Sequence, residues 1–151
     1  MRKASVVLGI MLLAGSGLEA QELSKDDELF MKGYSAGMVE VYESQITNAY
    51  IGLRLLKDMD EAKAYRKILV SSMNTALFSL WHVADEVTIR PEMLKILAGI
   101  KSANFKGFFE KLKGLRNQNN WLMDEPEQEK KVQWVLDQYI EYGNIYGFQN
   151  L

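Results

Sequence analysis

The chain has 151 residues and no cysteine, and it contains only two prolines and one histidine. Without cysteine there are no disulfides, no thiolate metal sites and no covalent haem attachment. Stability must therefore come from packing, and oxidation would fall on the eight methionines. Few prolines and no Gly/Ser-rich tract argue against a disordered chain or a long linker. The formal charge is −2, with no basic excess of the kind nucleic-acid binders carry. No internal repeat stands at a fixed period. A single histidine cannot supply the paired Glu-x-x-His motifs of a di-iron bundle. There is also no nucleophile elbow, no Gly-rich phosphate cradle after a strand and no His-Glu-x-x-His pair. The expectation is a protein that is not an enzyme and uses no cofactor.

What is present begins with an address. Arg2 and Lys3 precede the apolar run Val6–Ala14, and Gly15-Ser16-Gly17 leads to Leu18-Glu19-Ala20. Charge, a short apolar segment and a small exit residue together read as a cleavable signal peptide over 1–20. The run is too short to span a bilayer, which takes about 20 apolar residues. Residues 21–151 are then a single exported domain, periplasmic or secreted. Loss of Arg2, Lys3 and Glu19 leaves that domain slightly more acidic than the whole.

The rest reads as helix. Phe30, Tyr34, Met38, Val41, Tyr42, Ala49, Leu53 and Leu56 recur at near-helical steps and predict a helix over roughly 25–57. Asp58 with Glu61 has capping-box spacing for a second helix. Its inner face is expected to include Ala62, Tyr65, Ile68, Leu69, Met73, Ala76, Leu77, Leu80, Trp81, Val83, Ala84 and Val87. That helix should stop before Arg90-Pro91. A short third helix is expected from Pro91 to Gly99. A fourth should start at Ser102 or Asn104 with Phe105, Phe108, Phe109, Leu112 and Leu115 facing inward. Asn117–Asn120 reads as a loop. Pro126 suits the first turn of a last helix, framed by Asp124 and Glu127, with Val132, Val135, Leu136, Tyr139, Ile140 and Gly143 inside. The aromatic tail through Tyr146 and Phe148 is expected to fold back over the bundle. No segment alternates with period two, so the fold class is all-α: a compact bundle of four to five helices with short loops.

Several residues invite a functional reading. His82, with Asp85 and Glu86 one turn on, has ligand types on one helical face, but the further ligands of a metal site are not evident, and a surface role is expected. Haem held by His82 and a methionine is disfavoured because methionines in helical stripes fill cores. Glu40 and Glu43, three apart, read as a solvated face rather than an acid–base pair. The basic face of 101–116, Lys101 to Arg116, could contact an anionic membrane, but its apolar side reads as core. Gly33 and Gly37, four apart, read as a groove for close helix packing, within the chain or between chains. Trp121, Trp134, Tyr146 and Phe148 are the candidate anchors for a protein partner.

The stretch Phe30-Met31-Lys32-Gly33-Tyr34-Ser35-Ala36-Gly37-Met38-Val39-Glu40 resembles a helix of exported Rap/Tai-type immunity proteins through Gly-Tyr-x-x-Gly and a nearby acid. Those small periplasmic helical proteins neutralise toxins injected by rival bacteria. The likeness covers eleven residues, and the cysteines usual in that family are absent here. No functional residue is carried across. The leading expectation is a non-enzymatic protein-binding or structural protein. The alternatives are an immunity protein and a bundle holding a small molecule or lipid between its helices.

Overall fold

A computed structural model describes residues 25–89 and 104–145. Four α-helices account for most of them: α1 Lys25–Leu55, α2 Lys63–Ile89, α3 Lys106–Gln118 and α4 Pro126–Tyr142. A 3₁₀ turn, Asp60–Ala62, leads into α2, and the described residues contain no strand. The proposed signal peptide, the expected Pro91–Gly99 helix, Tyr146 and Phe148 lie outside the described residues.

Helices α1 and α2 form a hairpin, and α4 packs against both α2 and α3. The four share one core. Ile46, Met73, Leu77, Leu80, Phe109, Leu112 and Leu136 are all fully buried. Each such side chain contributes roughly 1.5–3 kcal/mol by leaving water. Phe109 stacks on Tyr139 at 3.9 Å, and Tyr50 meets Phe108 edge-on at 5.1 Å, joining α1 to α3.

The inner face of α1 follows the expected stripe in part: Ala49 and Leu53 are buried and Tyr42 packs against the core. Val39, Glu43, Ile46, Tyr50 and Leu53 are buried, whereas Tyr34 and Val41 are exposed. Both sides of this helix carry apolar residues, so periodicity alone does not say which side is inside. Tyr65 and Ile68 of α2 are likewise exposed rather than buried. They lie near the closed end of the hairpin, while α3 and α4 reach α2 further along, at Asn74 and Trp81.

The capping box at Asp58 and Glu61 does not form: Met59 precedes the 3₁₀ turn in an extended conformation, with no side-chain cap. The turn is held from α2 instead. Arg66 Nη1 donates to the carbonyl oxygens of Leu56 at 2.7 Å and Met59 at 2.6 Å. Those carbonyls also accept from the backbone N–H groups of Met59 (3.3 Å) and Ala62 (3.1 Å), so the guanidinium adds a second donor at each. Asn104 Oδ1 accepts from the Lys106 N–H (3.0 Å) and opens α3. Gly143 terminates α4 with φ +80°, and its carbonyl accepts from the Phe105 N–H at 2.9 Å. The inner faces of α3 and α4 otherwise match the periodicity, and Asn120 turns the chain with a left-handed φ of 53°. Ile145, at the start of the tail, is fully buried.

Candidate functional site

Two buried polar nodes stand out, and neither is evident from residue type alone. The larger centres on Arg116, whose side chain is fully buried in α3. Its Nε and Nη2 donate to Asn74 Oδ1 of α2 at 3.2 and 3.0 Å. Its Nη1 and Nη2 donate to Glu129 Oε1 and Oε2 of α4 at 3.2 and 3.0 Å. This planar, two-pronged pairing suits a guanidinium facing a carboxylate.

The same node fastens the connection between α3 and α4. Asn74 Nδ2 donates to the Trp121 carbonyl (3.2 Å), and the Trp121 N–H donates to the Arg116 carbonyl (2.9 Å). The Met123 N–H donates to Glu129 Oε2 at 2.8 Å, and Gln133 Nε2 to Oε1 at 2.6 Å. Burial pushes the Glu129 carboxyl up, but the donors from Arg116, Met123 and Gln133 outweigh it and hold the group below its ordinary range. Three helices therefore pin the backbone of the 119–125 connection. On it, Trp121 is half-buried against the core, and Leu122 is 41 % exposed. Trp134 of α4 is also half-buried and packs against the core.

The second node joins α1 to α4. Tyr139 OH donates to Glu43 Oε1 at 2.7 Å, with both residues buried. Burial raises the Glu43 carboxyl above its ordinary value, the Tyr139 hydrogen bond opposes this, and the nearby Glu40 charge adds to it. Glu43 is thus not on a solvated face. Glu40 is exposed, so the two acids do not share one environment.

His82 is exposed, with its ring edge-on to Phe78 at 4.7 Å and Trp81 at 4.9 Å. Lys131 Nζ sits 3.8 Å from the centre of the Trp81 ring, tying α4 to this aromatic group. The Glu86 side chain lies outside the described residues. Among the described residues, no three His, Asp or Glu side chains gather where they could hold a metal ion, and no helix is long and apolar enough to cross a membrane.

Arg116 is not part of a solvated basic face. Phe109, Leu112 and Arg116 share the inner side of α3, while Lys113 reaches Asp137 at 2.5 Å. Among the described residues, a Cβ added at Gly33 or Gly37 meets nothing within 4 Å. The close approach lies at Gly52, where a Cβ would come 2.8 Å from Leu69 Cδ1. Gly52 lies beside the hairpin turn, where α1 and α2 converge, whereas Gly33 and Gly37 lie on the outer side of α1.

Comparison with protein-family models, with curated proteins and with solved structures found no match to this chain.

Proposed function

We propose that this is an exported, non-enzymatic helical protein that binds a protein partner through the surface around the 119–125 connection. The carrying observation is the Arg116 node. A connection whose backbone is pinned to three helices loses little freedom on binding, which lowers the cost of association. It displays an exposed Leu122 beside a half-buried Trp121, and aromatic and apolar anchors on rigid supports are the usual centres of binding surfaces. Export rests on the residue order in 1–20 and places the partner outside the cytoplasm. An inhibitor of a rival's injected toxin is one protein of this kind.

The test is photo-crosslinking in cells, with a photoreactive residue at position 122 and a control probe at the more exposed Tyr65. The reading expects one protein to be captured from position 122 and not from position 65. Identical capture patterns from the two positions would overturn it. Fractionation with amino-terminal analysis tests export: a mature start near Gln21 is expected, and an uncleaved chain in the cytosol contradicts it.

A further inference from the structure

The outer side of α1 carries apolar residues that the described fold does not cover. Val41 is 57 % exposed, Ile51 49 % and Leu55 74 %. Val41, Asn48 and Leu55 recur at intervals of seven, and Gly37, Ser44 and Ile51 form a second row at the same interval. The two rows are offset by three or four residues, so they make one narrow stripe along the helix. Ile46 and Leu53, which point into the core, lie on the opposite side. The half-exposed Tyr34 continues the first row. At Gly37 no described residue comes within 4 Å of an added Cβ. Two offset rows, each repeating every seven residues, are the seam of a paired helix, and here the seam is on the outside.

We propose that this stripe pairs with the same stripe of a second copy, antiparallel, about a two-fold axis that passes between Ser44 and Asn48. Charge and shape select the occupant and its direction. Glu40 and Arg54 are both exposed, and they flank the same edge of the stripe at opposite ends. A parallel pair would bring Glu40 level with Glu40 and Arg54 level with Arg54. An antiparallel pair brings Glu40 of each copy toward Arg54 of the other, so one contact is made twice. It also sets Val41 against Ile51 and lays the long Leu55 side chain over Gly37. The surface is self-complementary, as a two-fold interface requires. Exposed in one chain, Ser44 and Asn48 meet each other at the axis. Slipping by one heptad would set these polar groups against Val41 or Ile51, and polar residues in an apolar seam fix register in this way. The pairing is separate from the Trp121 surface and does not depend on it.

The test is sedimentation equilibrium of the purified protein across a wide concentration range. A monomer–dimer equilibrium is expected. Val41→Asp combined with Leu55→Asp should leave a monomer with unchanged helical circular dichroism, while Tyr65→Asp, off the stripe, should leave the dimer intact. Glu40→Arg should raise the dissociation constant by about tenfold, equivalent to roughly 1.4 kcal/mol, and adding Arg54→Glu should restore it. A wild-type protein that is monomeric throughout overturns the proposal. A dimer indifferent to Val41→Asp/Leu55→Asp overturns it too. Failure of the charge swap to restore pairing overturns the antiparallel arrangement.

Discussion

Replacing Arg116 with Met tests the larger polar node. The guanidinium is fully buried, and its partner Glu129 is 15 % exposed at the side chain. Met has similar length and fills the space, so cavity effects are small. What it removes is charge compensation. Glu129 loses two charge-assisted hydrogen bonds, and Asn74 Oδ1 loses both of its donors. Breaking a buried pair from one side typically costs about 3–5 kcal/mol. Against a total stability of roughly 5–15 kcal/mol, that is a large fraction. It corresponds to a fall in Tm of roughly 10–20 °C for a domain of this size. Urea unfolding followed by circular dichroism measures it directly. A second variant, Arg116→Met with Glu129→Met, removes both charges and should recover much of the loss, because no charge is then left buried alone. The pH dependence has a definite sign. Glu129 is held below its ordinary value when folded, so its contribution is present above the unfolded pKa and is lost as pH falls through the folded one. Wild type should therefore weaken on acidification more steeply than Arg116→Met. If Arg116→Met costs under about 1 kcal/mol, the ordinary value of a surface ion pair, the buried-node reading is refuted.

The second carboxylate behaves in the opposite way. Burial raises Glu43, so its contribution is full below the unfolded pKa and lost as pH rises through the folded one. Glu43→Gln, which keeps an acceptor for Tyr139 OH, should raise Tm at neutral pH, with the gain shrinking toward acid; thermal melts at several pH values check this. Gly143→Ala should destabilise by about 1–2 kcal/mol, because a side chain is strained at φ +80° and its Cβ would come 2.7 Å from Asn104 Oδ1. An unchanged urea midpoint would show that the α4 end does not need glycine.

Much of the fold is legible in the residue order. Pro126 opens α4, Gly143 lies at its end, Asn104 opens α3, and the Phe105–Leu115 and Val132–Ile140 stripes face the core. These signals are local and involve one element at a time. The polar nodes are harder, because their partners are distant: Arg116 meets Asn74 from 42 residues away, and Tyr139 meets Glu43 from 96. Periodicity did carry a trace of them. Arg116 stands four residues after Leu112 and seven after Phe109, and Glu43 stands between Val39 and Ile46 on one helical side. Side-chain type points to water at both positions, and burial is tolerated only because another helix supplies the matching group. The two-sided apolar character of α1 is the remaining ambiguity. It obscures the inner face and leaves Val41, Ile51 and Leu55 outside.

The central claim is that the Arg116 node makes the 119–125 connection rigid enough to serve as a binding surface. Native-state hydrogen exchange at the Trp121 and Met123 amides tests it most directly, since both are donors inside the node. The account predicts protection approaching that of α3 in wild type and fast exchange in Arg116→Met. Exchange in wild type at the rate of an open loop would contradict it.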